Sequence, residues 1–416
     1  MTPARGLYVH LPFCTKRCPY CDFNVWPLQE MVAQDAPQRF HAALAAEIRW
    51  LLGALAREPS GGNVETLYFG GGTPSLAEPA RVGEIVEMVR GVGAPLREIT
   101  LEANPESFSM ERFDAYLAAG VNRLSVGVQS LSAEVLGLLG REHDASGSRR
   151  ALEWAARAPL ASWSADVLYG VSGQTPRSFA GDLDEFLLYR PPHLSLYALE
   201  VHPVTAFGRR EREGESLALD GDAQADLFDL ARERLLGAGY RHYEISSFAL
   251  PGHEAVHNSL YWKRAAVLSA GPGAWGFWEG AGAPFGIRWQ AGRSLPAYLD
   301  WVAGLGDPSR GLAALAQARR GLQRGEVLGA EEALSESLFL GLRLLEEGVD
   351  METLARRFGR EALERKLAAL ERHEKAGWIF RKGAALRLDG SKAFVAHAVL
   401  SDLVGGSPQR LDSYGG

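Results

Sequence analysis

The chain is poor in sulfur and has no long apolar run. Only 3 of its 416 residues are Cys and only 5 are Met. Three thiols cannot build a disulfide framework, and unpaired thiols point to a reducing compartment, so a cytoplasmic location is expected. No run of about 18 apolar residues occurs, so neither a membrane span nor a signal peptide is expected. A basic excess is missing too. With 44 Lys and Arg against 51 Asp and Glu the net charge is -7, which argues against general nucleic-acid binding. What is present, 46% hydrophobic residues in a chain of this length, suffices for one large domain and a smaller one.

The few cysteines are not scattered. Cys14, Cys18 and Cys21 share the run YVHLPFCTKRCPYCDF with the spacing C-x3-C-x2-C. Chance would gather three cysteines into eight residues roughly once in a thousand times, so they serve one site. Pro12 and Pro19 break any helix there, which leaves a loop able to wrap thiolates around a compact inorganic core. Soft thiolates suit zinc or an iron-sulfur cluster. Structural zinc closes its shell with four ligands, and His10 is the only nearby imidazole. A 4Fe-4S cluster on three cysteines instead keeps one iron open to an outside ligand. Buried structural cysteines are the plain alternative.

Short runs rich in Val, Leu and Tyr alternate with amphipathic stretches, the pattern of a parallel sheet with helices outside it. Strands are expected at LYVHL (7–11), TLYFG (66–70), EITLEA (98–103), RLSVGV (123–128), SADVLYG (164–170) and LSLYAL (194–199), with helices such as Arg39 to Leu55, Arg81 to Val92 and Ser109 to Ala119. This order predicts an α/β partial barrel, with a doubly wound open sheet as the alternative. Polar motifs follow the strand ends: the cysteine loop, GGGTPS (70–75), EANPES (102–107) and Gln129. Glu102 and Asp166 are acids in apolar strands, where a carboxylate is costly unless paired or bound to a ligand. A structural salt bridge, with Arg141 as one partner, is the competing reading.

Residues 206–225 read as a surface connection, then a helix (AQADLFDLARERLL), a strand YRHYEISSFA (240–249) and a tight Gly-Pro-Gly turn at 271–273. The expected organisation is a barrel over 1–205, its extension over 206–302, a linker over 303–330, a winged-helix-like helical domain over 331–404 and a disordered tail over 405–416. The winged-helix-like domain mixes acids with bases, which favours packing or partner docking over DNA. An iron-sulfur redox sensor acting on DNA is the outside alternative.

The cysteine pattern resembles that of the radical S-adenosylmethionine superfamily. The strings YVHLPFC, CPYCDF, FGGGTPS, EANPES, GVNRLSVGVQS, LGREH, SLYALEVHP, HYEISSFA and HNSLYW extend the resemblance, over most of 6–400, to its coproporphyrinogen dehydrogenase-like branch. The resemblance implies that Cys14, Cys18 and Cys21 hold a 4Fe-4S cluster whose open iron is chelated by S-adenosylmethionine, which the cluster's electron cleaves to methionine and a 5′-deoxyadenosyl radical. It implies Tyr8, Gly72, Thr73, Glu102, Gln129, Arg141 and Asp166 around S-adenosylmethionine, with Tyr20 beside the cluster. Lys16 and Arg17 are candidates to guide an electron donor, against the plain reading of two solvated charges.

Within that branch the coproporphyrinogen III dehydrogenases carry a further cysteine two positions after the third and a longer N-terminal arm. Here that position is Phe23, and thirteen residues precede Cys14, so the chain is more similar to the HemW-like heme chaperones. HNSLYW matches the HNxxYW pattern associated with heme in that family. It implies His257 as axial ligand, with Tyr261 and Trp262 against the macrocycle and His253 as the weaker candidate; on the residues alone, a hydrogen-bonded histidine beside a structural aromatic pair is the favoured reading. The expected partners are heme, an acceptor protein and an electron donor; porphyrinogen decarboxylation is the alternative function. Several positions depart from the pattern: Trp275 stands where a histidine is usual, VSGQT replaces LPGQT, and His202, Val204 and Ala206 alter the loop after the sixth strand.

Overall fold

A computed structural model describes residues 6–403, apart from 32–34, 59–62, 93, 94, 108 and 318–320. The expected tail over 405–416 lies outside the described residues. Six strands alternate with helices: β1 (Gly6–Leu11), α1 (Ala36–Leu55), β2 (Thr66–Gly71), α2 (Pro79–Arg90), β3 (Glu98–Ala103), α3 (Met110–Ala118), β4 (Arg123–Gln129), α4 (Ala133–Leu138), α5 (Ala145–Arg157), β5 (Ser162–Tyr169), α6 (Pro176–Leu188) and β6 (His193–Ala198). The strands pair in parallel in chain order from β1 to β6, as strand-helix-strand crossovers require. Each expected strand is present within two residues of its predicted ends.

After α7 (Ala206–Arg212) and α8 (Gly221–Gly237), the segment expected as one strand at 240–249 bends into a hairpin, β7 (Arg241–Glu244) and β8 (Ser247–Ala249), which continues the sheet antiparallel beyond β6. Helix α9 (Val256–Trp262) follows. On the opposite edge, β9 (Val267–Ala270) pairs in parallel with β1, and β10 (Trp275–Gly280), β11 (Ala283–Ala291) and β12 (Leu322–Val327) follow antiparallel. The twelve-stranded order is thus β12-β11-β10-β9-β1-β2-β3-β4-β5-β6-β8-β7. Two stretches differ from the sequence reading. The surface connection holds α7, whose Phe207 is buried. The stretch expected as a linker holds β12, an edge strand too exposed to show apolar alternation.

Alternation along the strands separates two faces. Leu7, Val9, Leu67, Phe69, Ile99, Leu101, Leu124 and Val126 point outward into one core with Phe40, Ile48, Val82 and Val86 of α1 and α2. The other face carries Tyr8, His10, Tyr68, Thr100, Glu102, Arg123, Ser125, Ser164, Asp166 and His193, so the barrel interior is polar. An apolar interior would simply pack shut; a polar one needs ligands or water. Arg123 Nε and Nη2, Thr100 Oγ1 and His193 Nδ1 are buried there without a hydrogen-bond partner among the described residues.

The C-terminal module has α11 (Ala330–Gly341, after α10 at Leu295–Gly304), α12 (Met351–Phe358), α13 (Arg360–Ala368) and a small sheet of β13 (Val349–Asp350), β14 (Ile379–Lys382) and β15 (Ala385–Leu388) in the order β13-β15-β14. Buried charges fasten it to the barrel extension. Arg264 pairs with Glu336 of α11 at 2.9 Å and with Glu279 at 3.2 Å, and Glu279 also meets Arg357 of α12 at 2.6 Å. Among the described residues no helix is long and apolar enough to cross a membrane.

Candidate cofactor site

The cysteine loop leaves the C-terminal end of β1, the face on which barrels of this kind carry their chemistry. The loop is fixed from several sides. Trp26 N donates to the Pro12 carbonyl at 2.6 Å and Cys21 N to the Cys18 carbonyl at 3.1 Å. Arg17 donates to the carbonyls of Phe23 and Val25 at 3.1 and 2.7 Å, so this cation braces the loop, while Lys16 is exposed. The Gly-Pro-Gly turn closes on the same region: a Cβ at Gly271 (φ +106°) would stand 2.4 Å from the His10 carbonyl, and Asn24 donates to Pro272 O at 2.9 Å. Gly271 N in turn donates to Glu47 of α1, which also accepts from Tyr298 and Trp301.

All three cysteines are free thiols and partly exposed. Burial pushes the Cys21 thiol up to about 12, with the neighbouring Cys18 and Cys14 adding to the rise, and raises that of Cys14, to which Cys18 also contributes. Among the described residues no group of three or more His, Cys, Asp or Glu side chains is arranged to hold a metal ion. His10 does not complete a zinc set: its Nε2 faces the Asn24 carbonyl at 2.8 Å, its Nδ1 faces the Tyr8 hydroxyl at 3.1 Å, and burial lowers its pKa to about 4. A cluster asks less of convergence, because each thiolate binds a different iron.

The glycine run lies directly against this loop. Gly72 N donates to Leu11 O and Thr73 N to Phe13 O, both at 2.8 Å, and a Cβ at Gly72 would stand 2.6 Å from Phe13 O. Only glycine allows that approach. Thr73 Oγ1 then reaches Cys14 Sγ at 3.4 Å. Arg141 enters from the other side, 3.6 Å from Cys18 Sγ and 3.5 Å from the Tyr20 hydroxyl, while its Nη2 donates to Asn104 Oδ1 at 2.8 Å. Its buried Nε has no hydrogen-bond partner among the described residues. A guanidinium beside Cys18 with one donor unused suits the carboxylate of a ligand.

Glu102 faces the same space. It accepts from Tyr68 Oη at 2.8 Å and Gly71 N at 3.0 Å, and burial raises its pKa to about 7. Asp166 accepts from Ser125 at 2.9 Å, and burial raises its pKa too. Gln129 ends β4 with φ +67° just after a register shift, a left-handed conformation that costs a residue with a Cβ about 1–3 kcal/mol. The structure therefore brings Tyr8, Tyr20, Gly72, Thr73, Glu102, Gln129, Arg141 and Asp166 to the inner face or the C-terminal mouth of the barrel, with the three cysteines.

Sequence reading missed the layer behind them. Asn104 bridges Arg141 and Thr73, donating to Thr73 Oγ1 at 3.1 Å. Glu106 meets Arg141 at 3.6 Å and His143 at 2.8 Å; burial would raise its pKa, but these partners outweigh it and leave it lowered. The signal was present, since Asn104 and Glu106 belong to EANPES and His143 to LGREH.

The HNSLYW segment is not brought to this mouth. It forms α9, against the N-terminal end of the barrel, where Glu98, first residue of β3, accepts from Val256 N and His257 N at 2.9 Å each. His257 is 0% exposed. Its Nδ1 faces Thr66 Oγ1 at 2.8 Å, its Nε2 faces Tyr261 Oη at 3.3 Å, and its ring stacks on Tyr68. Burial lowers its pKa to about 3, so it is neutral, but as folded it presents no free nitrogen. Trp262 is covered by the Arg343 guanidinium 4.2 Å above its ring, and His253 is engaged with Ser162 at 3.1 Å.

A polar partial barrel with three thiols, a glycine run and an inward acid at its C-terminal mouth defines a radical S-adenosylmethionine protein. The Radical SAM superfamily model matches residues 8–186 and the HemN C-terminal domain model residues 328–391. The structure of coproporphyrinogen III oxidase (HemN) from Escherichia coli superposes with a TM-score of 0.74 at 21% identity, covering 97% of this chain and 90% of that one, which shows the shared fold. The chain is 34% identical over 403 residues to heme chaperone HemW of Mycobacterium tuberculosis (strain ATCC 25618 / H37Rv), covering 96% of this chain and 95% of the relative. It is 38% identical over 278 residues to heme chaperone HemW of Escherichia coli (strain K12), covering 66% and 70%. The chain belongs to the HemW family.

Proposed function

We propose that the protein is a heme chaperone that holds a 4Fe-4S cluster on Cys14, Cys18 and Cys21, binds S-adenosylmethionine at the barrel mouth and passes heme to an acceptor protein. The observation that carries the cofactor half is Arg141, whose Nη1 stands 3.6 Å from Cys18 Sγ, whose Nη2 is committed to Asn104, and whose Nε has no hydrogen-bond partner among the described residues. The heme half rests on the family. When bound, the cluster and S-adenosylmethionine supply one-electron chemistry. The chain's own part is positional: Thr73 and Arg141 flank the thiols, the backbone at Gly72 clears space, and Glu102 and Asp166 receive polar ligand groups in a site of low dielectric.

Phe23, half exposed where a dehydrogenase would carry a further cysteine, disfavours the alternative of porphyrinogen decarboxylation. The test is one anaerobically reconstituted sample assayed three ways. Cluster content, heme titration and heme delivery to an apo-acceptor should all be positive, and coproporphyrinogen should stay unconsumed. Sustained protoporphyrinogen formation would replace this reading with the alternative; absence of heme binding would end it.

A further inference from the structure

The link between α4 and α5 carries more than Arg141, and it is fixed at both ends. Gly140, left-handed at φ +65°, ends α4, with Arg141 N donating to the Leu136 carbonyl at 3.0 Å. Asp144 starts α5 by accepting from Gly147 N at 2.7 Å. A Cβ at Gly140 would stand 2.9 Å from Pro19 Cδ, so the link lies against the cysteine loop. Between these ends, Arg141 and His143 both reach the last carbonyls of β4. Gly127 O accepts from Arg141 Nη2 at 3.2 Å, and Val128 O faces His143 Nε2 at 3.2 Å. The Glu106 carboxylate joins the two side chains, with Oε1 3.6 Å from Arg141 Nη2 and Oε2 2.8 Å from His143 Nδ1.

We propose that Glu106 and His143 are positioning residues for the carboxylate of S-adenosylmethionine, acting through Arg141; this rests on the cofactor reading above. Asn104, Gly127 and Glu106 together fix Nη2, and Nη1 lies against Cys18, which leaves Nε as the donor without a hydrogen-bond partner among the described residues. Holding a flexible arginine in one pose before the ligand arrives lowers the cost of binding.

His143 decides whether Glu106 helps or competes. A lone carboxylate beside Arg141 would orient the guanidinium but also repel an incoming carboxylate, and in a site of low dielectric both effects are large. Both ring nitrogens of His143 face oxygens that only accept, so the ring satisfies both only by donating from both. The Glu106–His143 pair then carries no net charge. Glu106 keeps its grip on the guanidinium, and the positive charge of Arg141 stays available to the ligand. Burial would raise the pKa of Glu106, but His143 and Arg141 outweigh it and keep the carboxylate ionised, as this role requires.

The test measures S-adenosylmethionine affinity by equilibrium dialysis, and cluster content alongside, on anaerobically reconstituted wild type, Glu106→Gln, His143→Gln, Arg141→Lys and the double variant Glu106→Gln/Arg141→Lys. Glu106→Gln keeps the shape and loses the charge; it should bind roughly tenfold more weakly with its cluster intact. His143→Gln leaves Glu106 to draw on Arg141 alone and should weaken binding as well. The double variant should bind no more weakly than Arg141→Lys, because the first substitution acts through the guanidinium. Unchanged or tighter binding in Glu106→Gln, or additive losses in the double variant, overturns the assignment. Should Glu106→Gln lose its cluster, unchanged or tighter binding in His143→Gln overturns it equally. A wild-type protein that holds its cluster but binds no S-adenosylmethionine would instead overturn the cofactor reading.

Discussion

At the N-terminal end of the barrel Glu98 accepts two backbone N–H groups of α9, and His257 is sealed between Thr66, Tyr68 and Tyr261. At the C-terminal end the thiols stay partly exposed, and Arg141, 3.6 Å from Cys18 Sγ, has one nitrogen without a hydrogen-bond partner among the described residues. Both ends are formed by the same strands. One end holds its own helix as a fixed ligand, and the other has donors left over for something from outside. Position in the barrel, rather than residue type, separates the two: a histidine that is a good metal donor in isolation becomes core when a strand's first residue caps the helix that carries it. Between the two ends, Arg123 and Thr100 keep buried atoms without hydrogen-bond partners among the described residues, which internal water would satisfy.

The sharpest way to break this contrast is a pair of substitutions. Cys21→Ala should abolish the cluster, whereas His257→Ala should keep it, as read by iron and sulfide per chain. Equal losses would show that the two ends are not separate. Next in size, Glu98→Ala removes the carboxylate from both α9 N–H groups and leaves Arg123, 3.9 Å away, unpaired. Breaking a buried charged contact of this kind costs about 3–5 kcal/mol, to be read by chemical denaturation. A cost below about 1 kcal/mol, the range of exposed pairs, would show that the helix is not held there.

At the mouth, Arg141→Lys keeps a charge but loses the planar fork, and should weaken S-adenosylmethionine binding roughly tenfold with the cluster retained. Equilibrium dialysis measures it, and unchanged affinity would remove Arg141 from the site. A further effect is on pH. Burial raises the pKa of Glu47 and Glu102 to about 7 from an unfolded value of 4.5. The folded state then holds protons that the unfolded state has released. Stability from these groups should therefore fall as pH rises from about 4.5 to about 7 and level off above it. Glu47→Gln should flatten part of that slope; an identical pH profile would show that Glu47 is ionised throughout.

Much of the mouth was legible because its residues cluster in short strings at strand ends. The spacing of Cys14, Cys18 and Cys21, and the lone acids Glu102 and Asp166 in apolar strands, are local signals. What was not legible depends on long-range closure. Nothing near HNSLYW says that Glu98, far earlier in the chain, will accept from its backbone; the residues alone favour a hydrogen-bonded histidine beside an aromatic pair, and the family resemblance is what reads His257 as an iron ligand. Strand β12 is almost wholly exposed, so its residues carry no apolar alternation and read as linker. The bend between β7 and β8 was missed because YRHYEISSFA contains neither Gly nor Pro to mark it.

The most direct measurement is electron paramagnetic resonance of the reduced, reconstituted protein with and without S-adenosylmethionine, on wild type, Arg141→Lys and Glu98→Gln. A cluster signal is expected in all three. Adding S-adenosylmethionine should change it markedly in wild type and Glu98→Gln, and less at the same ligand concentration in Arg141→Lys. A wild-type signal indifferent to S-adenosylmethionine would contradict the central claim that the C-terminal mouth is the cofactor site.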